Sequence, residues 1–203
     1  AARGETVLML DQMGGHLMDK AGIIYNATLA DVLAGTAKIH DAKYVDCNEH
    51  FTAVSTGGAD LDVLLGSLAA LSLNYDWVFI GTSAGCTPAH TRLASAADAS
   101  LLMYHGVGDK FMRAYWMLDA IRARHAKFDP LLIVQNIDAA EDNALESYEL
   151  LAHTVGQFLG AAPALGGVIE TPQCPKDIAP VLLEALRQES TAYNHGALKR
   201  AAG

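Results

Sequence analysis

The chain has 203 residues, of which 51% are hydrophobic and 18% charged, so it can fold around a substantial core and is not a disordered protein. Its formal net charge of −9 argues against a nucleic-acid-binding surface, because neutralising phosphates needs clustered Lys and Arg. No apolar run approaches the roughly 20 residues that span a bilayer, and the first residues lack the apolar stretch of a secretory signal.

The cysteines indicate the compartment. Cys47, Cys86 and Cys174 are far apart and odd in number, which predicts a reduced, cytoplasmic setting without a disulfide framework. The eight histidines are scattered, and no CxxC pair occurs. We therefore expect no metal site.

Apolar runs predict six strands in chain order. They cover residues 7–10, which end at Asp11, and then residues 51–55, 77–80, 99–104, 131–136 and 165–169. The run at 77–80 leads into a predicted loop of small residues, 81–85. Such a run before a small-residue loop is typical of a buried parallel strand that delivers a loop to a site.

Helical periodicity fills the intervals between these strands. Residues 29–33 follow Thr28 as a predicted N-cap and end before Gly35, and residues 61–73 follow Asp60. Three further helices are predicted at 110–125, 141–159 and 176–190.

This alternation predicts an α/β fold with a mostly parallel, doubly wound sheet and helices on both faces. We expect one domain over residues 1–190 and a flexible tail at 191–203. Ligands of such folds bind beyond the carboxyl ends of the strands. The predicted ends carry Asp11, Gly57, Gly58, Gly81, Thr82, Ser83, His105, Asn136 and Glu170.

Five segments resemble the MinD/ParA branch of the deviant-Walker P-loop ATPases, and most of all the FlhG (FleN) flagellar-number regulators. ETVLMLDQMGG is similar to the family's VLLLDADLG, ATLADVLAGTAKIHDA to YTLADVLSG, and YDWVFIGTSAGC to YDYVLIDTAAGI. The segments beginning ADASLLMYHG and LLIVQN match later parts of the family pattern. The likeness runs from about residue 5 to residue 172.

The chain departs from that family at its phosphate site. No GxxxxGK[ST] occurs, although in the family this loop precedes the first matched strand and cradles the phosphates. Either the chain is the later part of a longer protein, or the segment has been lost. The missing piece includes a central strand in the family, so we expect a gap in the sheet that closes up or that a partner fills.

Other departures concern single residues. Gly81 stands where the family has the acidic residue that helps to hold magnesium, and Gln12-Met13 stands where it has Ala-Asp. Arg113 replaces an aspartate. Asp11 matches the residue that orients the attacking water, and Asn136 matches the one that reads adenine.

Each candidate site residue also has an ordinary structural interpretation. Asp11 is the candidate catalytic residue, or else it ends a strand or caps a helix. Thr82, Ser83 and Gly85 are candidate cofactor-binding residues in a switch loop, or else they form a tight turn. Asn136 contacts adenine or caps the following loop.

Two nucleophile arrangements are weaker alternatives. Cys86 and His90, four residues apart, could share a helical face, but no acidic partner is identifiable. Ser83 lacks the G-x-S-x-G elbow. An unrelated small-molecule enzyme would use Ser83 with His90 or His105, in a polar pocket at the strand ends.

The resemblance implies a degenerate, non-hydrolysing domain that regulates the placement or number of a bacterial surface organelle, the flagellum, through contacts with a protein partner or in a homodimer. No cofactor is expected, and ATP with magnesium would bind only if a phosphate loop were supplied from elsewhere. The alternative is an ATPase whose phosphate loop lies upstream of this chain.

The resemblance also implies a location in the cytoplasm, peripheral to the inner membrane or at the cell pole. MinD-like proteins reach membranes through a terminal amphipathic helix, and residues 176–190 offer one. The mixed charge of this helix does not support a membrane-surface role, and packing on the domain is the favoured interpretation.

Overall fold

The computed structural model describes residues 4–105, 109–126, 128–135, 144–169 and 179–187. The chain forms two compact units that divide between Ala84 and Gly85. The prediction of one domain over residues 1–190 stays a prediction, and the expected tail at 191–203 lies outside the described residues.

The first unit contains a four-stranded sheet. Its elements are β1 (Val7–Gln12), α1 (His16–Lys20), α2 (Leu29–Leu33), α3 (Ile39–Ala42), β2 (Lys43–Val45), β3 (Phe51–Ser55), α4 (Leu61–Ser72) and β4 (Trp77–Thr82). The strand order is β2-β3-β1-β4, and β1 runs parallel to both β3 and β4. Because β1 has a strand on each side, its apolar residues Val7, Leu8 and Leu10 are buried.

Two details of this sheet differ from the sequence-based expectation. β4 extends through Gly81 and Thr82, which pair with Asp11 and Gln12, so the prediction that the loop begins at Gly81 is wrong by two residues. The physical reason is that β1 continues to Gln12 and offers these residues backbone partners. The short antiparallel strand β2 was not predicted, since three exposed residues carry no periodic signal.

The start of α2 confirms the predicted cap. The Thr28 hydroxyl accepts a hydrogen bond from the Asp31 backbone N–H at 3.3 Å, and the Asp31 carboxylate accepts one from the Thr28 N–H at 2.8 Å. This reciprocal capping box satisfies two backbone donors that the helix itself leaves unpaired. Gly35 follows the helix in the left-handed conformation, with φ 75°, as expected of a stop.

The capping box leads to a pH prediction. The Thr28 hydroxyl, with the Thr28 N–H, lowers the pKa of Asp31 from 3.8. A lowered folded-state pKa means that the box stabilises the fold above pH 3.8 and that this contribution is lost as pH falls through the folded pKa. In a carboxyl-detected NMR titration, Thr28→Ala should move the Asp31 midpoint up toward 3.8. A midpoint unchanged by Thr28→Ala would contradict the assigned cause.

The second unit contains a three-stranded parallel sheet of order β5-β6-β7. Its elements are α5 (Pro88–Ala96), β5 (Leu101–His105), α6 (Asp109–Arg122), β6 (Leu131–Gln135), α7 (Ala144–Phe158) and β7 (Leu165–Ile169), and residues 179–187 are helical. Buried residues of β6, α6 and α7 form its core, including Leu118, Leu132, Leu151 and Val155. Mostly parallel sheets with helices on both sides confirm the predicted α/β class.

Arg122, the last residue of α6, is charged although its side chain is largely buried. Arg122 donates to the carbonyl oxygens of Phe128 at 2.9 Å and Ala161 at 2.7 Å, and it pairs with Asp129 at 3.5 Å. The guanidinium has enough donors to satisfy all these acceptors at once. Arg122 therefore links α6 to the segments before β6 and before β7.

No helix in the described part of the chain combines the length and the apolar character needed to cross a membrane.

Candidate functional site

The candidate site lies at the carboxyl ends of three parallel strands in the first unit. The strand register places Asp11 of β1 beside Ser55 of β3 on one side and beside Gly81 of β4 on the other. Paired residues of neighbouring strands face the same side of a sheet. These three positions therefore form a row at the edge where open α/β sheets bind ligands.

Asp11 is fully buried, and its carboxylate is occupied by backbone donors. Oδ1 accepts the Met13 N–H at 2.7 Å, while Oδ2 accepts the Leu17 N–H at 2.8 Å and the Met18 N–H at 3.1 Å. Leu17 and Met18 belong to the first turn of α1, whose N–H groups have no partner within the helix. Asp11 thus caps α1, as one of its predicted interpretations had it, and its predicted catalytic role stays a prediction.

This cap is unusual because the capping residue, Asp11, lies six positions before Leu17 in the sequence. The residue directly before α1 is Gly15, which has no side chain to accept a hydrogen bond. A carboxylate suits this place, since negative charge is favourable at a helix N-terminus. The backbone oxygen of Asp11 also accepts the Thr56 N–H at 3.0 Å and the Thr56 hydroxyl at 3.1 Å, which fixes the loop after β3.

Leu17 lies against Gly81, the position where the resemblance implies an acidic residue. A Cβ atom added at Gly81 would overlap Leu17 Cδ1. The glycine therefore gives α1 room to pack onto β4, and Met18 of the same helix is fully buried against Ile23 and Ala53. We call this arrangement of Asp11, Leu17 and Gly81 the α1 lock.

Of the other candidate residues, Thr82 is the half-buried last residue of β4. Ser83 and Gly85 are exposed and lie in the loop between β4 and α5, so their predicted cofactor-binding role stays a prediction. Gly85 lies beside His90, since a Cβ atom at this glycine would be 3.2 Å from the His90 Cε1.

The proposed Cys86–His90 helical face is wrong. Helix α5 begins at Pro88 after Thr87 as its N-cap, so Cys86 precedes the helix. His90 instead completes the capping box of this helix, because its Nδ1 lies 2.6 Å from the Thr87 hydroxyl oxygen and accepts the Thr87 N–H at 3.3 Å. Among the proposed histidine bases, His105 ends β5 with a buried Nδ1 that has no hydrogen-bond partner among the described residues.

Two candidate residues cannot be placed. Asn136, the predicted adenine contact, and Glu170, at the predicted end of the last strand, both lie outside the described residues.

Sequence reasoning missed Ser55, Thr56, Gln12 and Leu17 as residues of this edge. Ser55 and Thr56 are each 1% exposed, and Ser55 Oγ and Gln12 Nε2 are buried without a hydrogen-bond partner in the described structure. The sequence did contain a signal for Ser55 and Thr56, because they directly precede the Gly57-Gly58 turn at the end of a strand. Leu17 had no comparable signal.

The described residues at this edge do not fit a magnesium ion. The Asp11 carboxylate already accepts three N–H groups, and Gly81 offers no side-chain oxygen. Across the residues described, no cluster of three or more His, Cys, Asp or Glu side chains could hold a metal ion. The geometry around Asp11 therefore supports a helix cap and gives no basis for a reaction step through a metal at this carboxylate.

Comparison with known proteins identifies the fold. No family model matches the sequence, and neither does any of the curated proteins. Solved structures do match. MinD from Pyrococcus horikoshii complexed with Mg-ADP has a TM-score of 0.60 at 17% identity, over 97% of this chain and 86% of that one.

Two more solved structures are similar to this chain. Apo McdA from Cyanthece has a TM-score of 0.62 at 16% identity, over 100% of this chain and 89% of that one. A chain of the MinC:MinD cell division protein complex from Aquifex aeolicus has a TM-score of 0.57 at 18% identity, over 96% and 85%. The chain thus has the MinD/ParA P-loop NTPase-like fold.

Proposed function

We propose that the chain is a non-hydrolysing MinD/ParA-like domain that acts through protein contacts and regulates the placement or number of a bacterial surface organelle. The flagellum is the organelle that the FlhG-like segments favour. Its place of action is the cytoplasm, at the inner membrane surface or the cell pole, and its partner is a protein rather than a nucleic acid.

The α1 lock is the observation that carries the proposal. Hydrolysis of a nucleotide depends on charged groups that are positioned around the phosphates. Here the buried carboxylate of Asp11 accepts the N–H groups of Met13, Leu17 and Met18. Leu17 covers Gly81, where a second carboxylate would be needed. The carboxyl ends of β1 and β4 therefore hold helix α1 in place.

Similarity to a protein complex supports contact with a partner. The MinC:MinD complex contains a chain with this fold in an assembly of two different proteins. A domain whose ligand edge is closed by its own helix retains its outer faces for such contacts.

The test is calorimetric titration of the purified chain with ATP and magnesium, and then with ADP. We expect no heat of binding with either nucleotide. Binding tighter than about 100 μM, which corresponds to roughly 5–6 kcal/mol, would contradict the proposal. The variant Asp98→Ala is a suitable control, because Asp98 is exposed and far along the sequence from the α1 lock.

An ATPase whose phosphate loop lies upstream of this chain is the second candidate. The observation that favours it is the likeness to MinD complexed with Mg-ADP, over nearly the whole of this chain. It predicts that a longer form of the protein, extended upstream in its gene, contains a GKT-bearing segment and binds ATP. In that longer form, Asn136 and Asp11 would be the first residues to substitute.

A further inference from the structure

Thr56 is a buried polar residue that lies between the α1 lock and helix α2. It follows β3 directly and is 1% exposed. Its N–H and its hydroxyl both donate to the backbone oxygen of Asp11, at 3.0 and 3.1 Å. Its own carbonyl oxygen accepts the Ala30 N–H at 3.1 Å and the Ala59 N–H at 3.0 Å. Thr56 therefore connects the end of β1 with the beginning of α2 through consecutive hydrogen bonds.

Helix α2 depends on such contacts because it is short. It has five residues, too few for a stable isolated helix, and each of them keeps part of its surface exposed. A helix also leaves its first N–H groups without partners inside the helix. In α2 the capping box of Thr28 and Asp31 supplies one partner, and Thr56 supplies the partner of Ala30. The position of Thr56 therefore affects how well α2 is capped.

The residue after Thr56 contacts the same capping box. Gly57 lies against Thr28, since a Cβ atom added at this glycine would overlap the Thr28 side chain. Its φ of 60° lies in the left-handed region that favours glycine. Residues 56 and 57 thus approach the start of α2 at both Ala30 and Thr28. A shift of this turn changes the surroundings of both residues at once.

We propose that Thr56 is a positioning residue that couples the α1 lock to the N-terminus of α2. Asp11 holds α1 with its carboxylate and Thr56 with its backbone oxygen, so both connections meet at one residue. The α2 capping box has a formed and an open state, and a displacement of Asp11 that moves Thr56 favours the open state. An event that displaces α1 therefore loosens α2. This coupling goes beyond the proposed function and holds whether or not the chain binds nucleotide.

Titration of Asp31 measures the state of the capping box. The Thr28 hydroxyl and N–H lower the pKa of Asp31, so opening the box should move its midpoint up toward 3.8. Thr56→Val keeps the shape of the side chain and removes the hydroxyl that donates to Asp11. In a carboxyl-detected NMR titration we expect a higher Asp31 midpoint in Thr56→Val. Thr56→Ser retains the hydroxyl and should keep the midpoint of the natural chain.

The matched control is Thr52→Val. Thr52 is a buried threonine of the same strand, β3, and it pairs with Leu8 near the other end of β1. Its replacement removes a buried hydroxyl and can lower stability, but it should leave the Asp31 midpoint unchanged. A general loss of stability would therefore not produce the expected result. Circular dichroism of each variant checks that it folds.

A double-mutant cycle tests the direction from the α1 lock to α2. Leu17→Ala removes the side chain that lies against Gly81, so it weakens the lock. It should raise the Asp31 midpoint in the natural background. In the Thr56→Val background the connection is already weakened, so Leu17→Ala should raise the midpoint by less.

Three results would overturn the proposal. One is an Asp31 midpoint in Thr56→Val that equals that of the natural chain, and another is an equal rise in Thr52→Val. The third is a rise on Leu17→Ala that is the same with and without Thr56→Val, which would mean that Thr56 does not carry the coupling. If Thr56→Val does not fold, Leu17→Ala decides the question, since an unchanged Asp31 midpoint would show that α1 and α2 are independent.

Discussion

Replacing Asp11 with alanine is expected to lower the free energy of unfolding by about 3 kcal/mol, because three backbone N–H groups lose their acceptor at once. One of them, that of Met18, is fully buried, and the others belong to Met13 and Leu17. An unsatisfied buried donor costs about 1–3 kcal/mol, and loss of an N-cap alone costs about 1 kcal/mol. Urea denaturation followed by circular dichroism measures the change.

A conservative variant and a control variant accompany Asp11→Ala in this experiment. Asp11→Asn keeps one acceptor oxygen and the size of the side chain, so its loss of stability should be smaller than that of Asp11→Ala. Asp98→Ala removes an exposed carboxylate and should change stability by no more than about 0.5 kcal/mol. If Asp11→Ala were as stable as Asp98→Ala, the capping role would be wrong and a purely catalytic role for Asp11 would regain support.

Local signals explain what could be predicted from the sequence. The α2 helix was predicted with its cap and its stop because Thr28 and Gly35 each act on the end of the helix that they border. The strand of residues 51–55 and the last strand were predicted within their observed bounds, since each apolar run is bordered by turn residues or polar residues. The α/β class followed from the alternation of these elements.

The α1 lock could not be predicted, since it depends on contacts between distant residues. Helix α1 has five residues, too few for a 3.6-residue period, and its cap is Asp11 rather than the adjacent Gly15. The packing of Leu17 on Gly81 joins residues 64 positions apart. Gly81 could be recognised as a departure from the family pattern, but its structural purpose became visible only in the folded chain.

Restoring an acidic residue at position 81 is expected to destabilise the protein rather than to create a magnesium site. Gly81→Asp places a Cβ atom where Leu17 Cδ1 lies, and overpacking of this kind costs about 1–3 kcal/mol. The new carboxylate would also face Asp11 across the paired strands, and like charges directly opposite one another are unfavourable. Gly81→Ala separates the two causes, since it adds the Cβ atom without the charge.

The double variant Leu17→Ala/Gly81→Asp then tests whether the lock closes a latent metal site. Removing the Leu17 side chain makes room for the carboxylate, so the double variant should lose less stability than the two single changes together, by about 0.5–3 kcal/mol. Thermal unfolding with and without magnesium is the measurement. Stabilisation by magnesium in the double variant, and in neither single variant, would show that Leu17 occupies the space of a metal. If Gly81→Asp alone bound magnesium and kept full stability, α1 would not lock this edge, and the proposed non-hydrolysing function would lose its main support.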